Sequence, residues 1–172
     1  MAHSVLAVPV PALEPYVRSR WEHYDPAWVS RDPAFTHAHI TVLAPFLPEP
    51  TGADLDRVAE VVQTTAAFDF RLAEVATFPD GLVHLVPEPA EPFAELTDRL
   101  WRAFPQCPPY AGECGAVVPH LTLDRVGPGV SVATVERDLA GVLPVTLRAD
   151  RVELHGYEEM NCRFLLGWSC SG

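Results

Sequence analysis

The chain has 172 residues, of which 48% are hydrophobic and 20% are charged, a composition typical of one globular domain with its own core. Acidic residues outnumber basic residues 23 to 12, and the resulting net charge of −11 argues against binding long nucleic acid through its phosphate backbone. No apolar run reaches the roughly 20 residues that a membrane-spanning helix requires. Segment 1–15 lacks a basic region and contains three prolines, so we expect no signal peptide and a cytoplasmic protein.

The first half of the chain, residues 4–80, predicts an apolar strand, a proline-rich turn and an amphipathic helix. The apolar face of this helix consists of Leu13, Tyr16 and Val17. A second strand carries His39-Ile40-Thr41-Val42, and a second helix begins at a capping box formed by Thr51 and Asp54. The half ends in a strand candidate at 68–78, which we expect to pair with the strand that opens the next half.

Residues 81–170 repeat this order of elements. The apolar face of the first helix consists here of Phe93, Leu96 and Leu100. A second strand carries His120-Leu121-Thr122-Leu123, a helix follows, and strand candidates at 145–154 and 163–169 are expected to pair. Trp21 and His39 recur at Trp101 and His120, and both offsets are about 80 residues.

This pattern predicts an α+β fold made of duplicated β-α-β-α-β-β halves. We expect the halves to form two pseudo-symmetric antiparallel-sheet lobes with outer helices and a central cleft. Residues 1–172 then form one bilobal domain, with an internal repeat at about 4–80 and 81–170.

Each repeated string places a histidine and a threonine two residues apart on a strand, so both side chains face one side. Two imidazoles facing each other across a cleft suit an in-line reaction at a phosphodiester. One neutral ring accepts a proton and one protonated ring donates a proton. We therefore predict His39 and His120 as catalytic residues and Thr41 and Thr122 as phosphate-binding residues that donate to the non-bridging oxygens. No metal or cofactor is predicted.

Several further residues are candidates for the cleft. Arg125 can contact a phosphate only if its strand contains a bulge or ends there, because regular alternation directs it away from His120. Phe46 and Tyr110 are candidates for stacking a base, but aromatic residues near proline turns more often pack in the core, and we favour that role for both. His37 can form a zinc-binding pair with His39 or lie at the cleft rim, and we favour the rim.

Three other groups have structural interpretations. We expect Asp124 to lie beyond the cleft or to pair with Arg125, since its charge does not suit a phosphate pocket. His84 can line the cleft or be a structural histidine with its hydrogen bonds satisfied, and we favour the structural role. The cysteines have no Cys-x-x-Cys spacing, and we interpret all of them as free thiols. They are Cys107, Cys114, Cys162 and Cys170.

Paired His-x-Thr strings in a duplicated α+β chain resemble the two-histidine (2H) phosphoesterase superfamily, in particular its bacterial 2′-5′ RNA ligase-like branch. The stretches HITVLAPF and VVPHLTLDR carry the resemblance, which extends over almost the whole chain. It implies a bilobal fold in which both chain ends contribute to one lobe. It also implies metal-independent hydrolysis of 2′,3′-cyclic phosphates of nucleotides or RNA ends to 2′-phosphates. The four motif residues are His39, Thr41, His120 and Thr122.

Small cyclic nucleotides or RNA termini are therefore the expected substrates of a monomeric enzyme. Within the resembled family, some members act on ADP-ribose cyclic phosphate or 2′-5′ linkages, or ligate RNA through 2′-5′ bonds. Two other functions remain open: a non-catalytic sensor of a cyclic nucleotide or RNA terminus, and a zinc-dependent hydrolase that uses His37 and His39. The symmetric motifs do not identify the acid and the base, and we favour His39 as the acid and His120 as the base.

Overall fold

A computed structural model describes residues 3–112 and 117–172, which form nine β-strands and four α-helices. In chain order these are β1 (His3–Pro9), α1 (Glu14–Tyr24), β2 (His39–Phe46), α2 (Gly52–Gln63), β3 (Phe68–Leu72), β4 (Val75–Thr77), β5 (Leu82–Leu85), α3 (Glu91–Ala103), β6 (Leu121–Arg125), α4 (Val132–Asp138), β7 (Val145–Ala149), β8 (Arg151–Tyr157) and β9 (Arg163–Ser169). The predicted α+β class is confirmed. In the described part of the chain, every helix is too short or too polar to cross a membrane.

Seven strands form one antiparallel sheet in the order β4-β5-β6-β2-β1-β8-β9, and β3 pairs with β7 in a separate sheet. The two strands associated with the His-x-Thr strings, β2 and β6, are neighbours at the centre and meet at the bridge between Ile40 and Leu121. On either side of this bridge the order is equivalent, with β5 and β4 beside β6 and with β1 and β8 beside β2. A duplicated chain with a two-fold axis through the bridge would have this order.

The expected strand pairs form only in part, because the segments at 68–78 and 145–154 each divide into two strands. The second pieces, β4 and β8, pair with β5 and β9 as predicted. The first pieces, β3 and β7, pair with each other instead. Phe70 and Leu72 of β3 are buried in the main core, so burial of this apolar face against the helices explains why β3 leaves the large sheet.

The helices form where the apolar spacing predicts them, and their apolar faces cover the sheet. On α3 the predicted residues Phe93, Leu96 and Leu100 are all buried. The predicted capping box of α2 is confirmed: the Asp54 N–H donates to the Thr51 hydroxyl at 3.3 Å, and the Thr51 N–H donates to the Asp54 carboxylate at 2.9 Å. The thiols of Cys107, Cys162 and Cys170 are free, as predicted, and Cys114 lies outside the described residues.

Candidate active site

All four motif side chains line one cleft of about 710 Å³. The motifs lie on either side of the bridge between Ile40 and Leu121, whose own side chains are fully buried on the opposite face of the sheet. Antiparallel register places His39 opposite Thr122 and Thr41 opposite His120, one residue from the bridge in each direction. The structure therefore brings together the residues predicted for catalysis and phosphate binding.

The ring of His120 is held by its own strand. Its Nδ1 lies 2.7 Å from the carbonyl oxygen of Val118, to which it donates a hydrogen bond. The neutral ring therefore carries its proton on Nδ1 and has the lone pair on Nε2 available for proton transfer. Burial lowers the pKa of His120, and the nearby His84 lowers it further, while the Val118 carbonyl partly opposes both effects.

The ring of His39 lies in a more enclosed environment. Burial lowers the pKa of His39 to about 4, and the neighbouring His155 contributes in the same direction. The backbone carbonyls of Thr36 and His37 favour the protonated ring, but neither forms a hydrogen bond of good geometry with Nδ1. His39 is consequently neutral at pH 7 and able to accept a proton.

Stability is expected to depend on pH through His39. An unfolded histidine titrates near 6.5 and folded His39 near 4, so the unfolded chain binds more protons between these values. The contribution of His39 to the free energy of unfolding is fully present above pH 6.5 and is lost as the pH falls towards 4. We expect this loss to be about 2 kcal/mol, less than the full shift implies because the ring borders the open cleft.

Urea unfolding at pH 7 and pH 4.5 measures this effect. The variant His39→Gln should lose less stability than the wild type on acidification, and the difference should be close to the value above. Equal losses in the two proteins would contradict a depressed pKa at His39.

A cluster around Asp124, which the sequence interpretation did not identify, forms the wall beside His120. Only 2% of the Asp124 side chain is exposed, and its Oδ2 lies 2.6 Å from Nε of Arg20. The Tyr24 hydroxyl donates to Oδ1 at 2.7 Å. Burial, followed by the charge of Asp124, raises the pKa of Tyr16 to about 12. The carboxylate thus holds one face of α1 against the cleft.

The prediction that Asp124 lies beyond the cleft or pairs with the Arg125 side chain is therefore wrong. The carboxylate lies in the cleft wall, and from Arg125 it accepts the backbone N–H, at 2.7 Å, rather than the guanidinium. Arg20 brings a guanidinium group into the cleft, and the apolar spacing of α1 could have revealed it. It follows Tyr16 by four residues, so both lie on one face of the helix.

Arg125 also reaches the cleft, and the bulge that this position requires is present. Asp124 lies opposite Val83 while Thr122 lies opposite His84, so β6 has one residue more than β5 at this point. The guanidinium of Arg125 donates to the Asp80 carbonyl at 2.7 Å and pairs with the Asp80 carboxylate at 3.3 Å. Regular alternation would have directed this side chain away from the cleft.

Phe46, a candidate for stacking a base, does not line the cleft. It lies in the main core, edge-on to Phe104 with the ring centres 4.9 Å apart. Along β2 it has the same parity as the core-facing residues Ile40 and Val42 and the opposite parity to His39, and this was visible in the sequence. Tyr110 lies beside the motif instead, with its ring nearly parallel to that of His120 at 6.1 Å.

His37 lines the cleft as a buried side chain, and both of its ring nitrogens are engaged. Its Nδ1 donates to the Glu14 carboxylate at 2.7 Å, and its Nε2 accepts the N–H of Ser30 at 3.1 Å. This arrangement requires a neutral ring, because a second ring proton would face the Ser30 donor. The pair with His39 is therefore not arranged as a metal site. More generally, the described residues contain no group of three or more donors suited to a metal ion.

An aromatic wall closes the end of the cleft, and sequence reasoning missed it. The ring of His3 stacks on that of Tyr157 at 5.2 Å, and Trp28 lies 6.4 Å from His3. All three residues line the same cavity as the motifs. Aromatic faces of this kind can stack a nucleobase. They come from three separate segments of the chain, so no local pattern marks them.

Comparisons with known proteins agree with this architecture. The family model described as the 2′-5′ RNA ligase superfamily matches residues 9–161. No curated protein matches the sequence. Escherichia coli LigT complexed with 3′-AMP has a similar structure, with a TM-score of 0.59, 17% identity and coverage of 99% of each chain. The protein TT0787 of Thermus thermophilus has a TM-score of 0.61, 19% identity and coverage of 97% of each chain. These structural similarities show a shared fold.

Proposed function

The chain belongs to the 2′-5′ RNA ligase superfamily, and from this membership we propose that its cleft hydrolyses 2′,3′-cyclic phosphates of nucleotides or RNA ends without a metal ion. The observation that carries the proposal is the meeting of two His-x-Thr motifs around the Ile40–Leu121 bridge in one cleft. A binding protein would not require two titratable rings that face one phosphate, whereas acid–base catalysis does.

In the proposed reaction, one imidazole accepts a proton from water while the water oxygen attacks phosphorus. The bond from phosphorus to the 3′ oxygen breaks, and the other imidazole donates its proton to that oxygen, leaving a 2′-phosphate. The low pKa of His39 favours His39 as the base, and His120 then acts as the acid. This assignment reverses the one we favoured from the sequence. The Thr41 and Thr122 hydroxyls donate to the non-bridging oxygens as charge develops.

The size and lining of the cleft support a small substrate. A volume of about 710 Å³ lies within the usual range for small-ligand pockets. The aromatic wall offers a surface for a base, and the net charge of −11 disfavours a long RNA strand. The similar structures of Escherichia coli LigT include complexes with 3′-AMP, ATP and NADP⁺, all of which are nucleotides.

Replacing Thr122 by valine is expected to remove one donor to the developing charge. A hydrogen bond to a charged group contributes about 1.5–3 kcal/mol, which corresponds to a loss in kcat/KM of about 10- to 150-fold. Thr146→Val, on the exposed strand β7, is the matched control and should retain the wild-type value. Equal activity in Thr122→Val and in the control would exclude Thr122 from phosphate binding.

A substrate panel assayed with and without EDTA tests the proposal. It contains 2′,3′-cyclic mononucleotides, ADP-ribose 1″,2″-cyclic phosphate, 2′-5′ oligoadenylate and RNA with a cyclic end. We expect hydrolysis of a 2′,3′-cyclic phosphate that survives EDTA. Tight binding without turnover would indicate a sensor, and joining of RNA ends would indicate a ligase. Activity that chelation abolishes and zinc restores would indicate a zinc hydrolase.

A further inference from the structure

A chain of three polar side chains, of which Glu153 and His155 are buried and Arg151 is exposed, lies along β8 and ends beside His39. Nε2 of His155 lies 2.8 Å from Oε2 of Glu153, and the other carboxylate oxygen lies 2.7 Å from the guanidinium of Arg151. His155 is fully buried, and Glu153 is almost so. The proposed reaction does not use any of these residues.

Strand register explains how this chain reaches the active site. Ala7 of β1 lies opposite Thr41 on one side and opposite Glu153 on the other, so these residues share the cleft face of the sheet. His39 and His155 belong to the same face by alternation. Because Ala7 carries only a methyl group, the two larger rings meet across β1. Their centres are 5.7 Å apart, and their planes are nearly perpendicular at 88°.

The hydrogen bond to Glu153 determines which nitrogen of His155 must carry a proton. A carboxylate can only accept, so Nε2 of His155 carries the proton and Nδ1 of the neutral ring carries a lone pair. That Nδ1 is buried, and neither it nor Nδ1 of His39 has a hydrogen-bond partner among the described residues. Phe35 packs against His155 with the ring centres 4.4 Å apart, but it takes no part in the proposed reaction. Among the described rings that contact His155, His39 is the one with a role in that reaction. Unpartnered buried nitrogens are uncommon enough to need an explanation.

We propose that His155, held by Glu153 and Arg151, is a positioning residue that fixes the orientation of the His39 ring. When His39 accepts a proton and becomes positively charged, only the His155 ring separates it from the negatively charged Glu153 carboxylate. This inference rests on the proposed function only for its effect on turnover. Other titratable groups near the two rings are His37, Glu14, Tyr157 and Cys162.

The other motif histidine lacks an equivalent chain and so provides a control. His84 lies 5.7 Å from the ring of His120, close to the distance at which His155 lies from His39. However, His84 stacks on Phe78 at 3.8 Å, and its Nδ1 lies 3.2 Å from a backbone carbonyl rather than a carboxylate. His84→Phe is therefore the same chemical change at the same distance from the other catalytic ring.

The test combines turnover with nitrogen chemical shifts of the imidazoles. His155→Phe keeps the aromatic volume, and Glu153→Gln keeps the side-chain shape if the first variant fails to fold. For His155→Phe we expect kcat to fall about 10- to 100-fold, the loss usual when the group that orients a metal-bound histidine is removed, and KM to change less than about twofold. A loss confined to KM would overturn the positioning role.

The same variants are examined by NMR at pH 7, which does not require activity. We expect His39 to change from one neutral tautomer to a mixture of two in His155→Phe and Glu153→Gln, while His84→Phe leaves His39 unchanged. Identical His39 shifts in the wild type, His155→Phe and Glu153→Gln would overturn the inference. A wild-type protein that turns over no member of the panel would overturn the proposed function alone, since the tautomer of His39 is measured independently.

Discussion

Replacing His39 or His120 by alanine is expected to lower the rate of 2′,3′-cyclic phosphate hydrolysis by about 10²–10⁴-fold, the usual contribution of general acid–base catalysis. The two rings lie on either side of one bridge in one cleft, so each substitution removes one of the two proton transfers. The measurement is kcat on the best substrate of the panel, in EDTA. The wild type should show a bell-shaped pH profile with one limb for the base and one for the acid.

His23→Ala is the matched control for these variants. His23 is exposed on α1, does not line the cleft and is expected to retain wild-type turnover when replaced. The double variant His39→Ala/His120→Ala should be little slower than either single variant, because groups that act as a unit give non-additive losses. Wild-type turnover in both single variants would show that the cleft does not use these rings.

Phe93→Ala is expected to lower the free energy of unfolding by about 3–5 kcal/mol, the range for removing a buried phenylalanine. Phe93 has 0% of its surface exposed and lies on the inner face of α3. Its ring meets those of Phe68 at 4.9 Å and Phe70 at 5.0 Å, both edge-on. These contacts hold the separate sheet of β3 and β7 against the helix. The measurement is urea unfolding followed by far-UV circular dichroism.

Trp101→Ala serves as the control on the same helix. Trp101 is 43% exposed, so its removal leaves no enclosed cavity and should cost about 1 kcal/mol or less. If the two variants were destabilised equally, the aromatic cluster would not be the contact that holds β3 and β7 in place.

Local features of the fold could be predicted because they depend on neighbouring residues. The buried faces of the helices follow from apolar residues spaced three and four apart in the sequence, as Phe93, Leu96 and Leu100 show. The capping box of α2 needs only Thr51 and Asp54, which are three residues apart. The placement of Phe46 could also have been predicted, since its parity on β2 is that of the core.

Long-range features could not be predicted in the same way. Arg20 enters the cleft because its guanidinium forms an ion pair with Asp124, which lies more than a hundred residues later in the sequence. Tyr157 and His3 meet because β8 pairs with β1. Such contacts depend on strand order and register, which a single sequence constrains only weakly when the apolar patterns of several strands are alike.

The sequence by itself determined the two His-x-Thr motifs, the side of the strand on which each lies, and the order of elements in both halves. Alternation along a strand and spacing along a helix are local, so the residues themselves specify them. Only the tertiary structure decided that β2 and β6 are neighbours, and that the two motif histidines have different surroundings. His39 lies against buried His155 and has the lower pKa, whereas His120 is held by a carbonyl beside a more open wall. Desolvation depends on every segment that packs around a ring, and this is why symmetric motifs became chemically unequal.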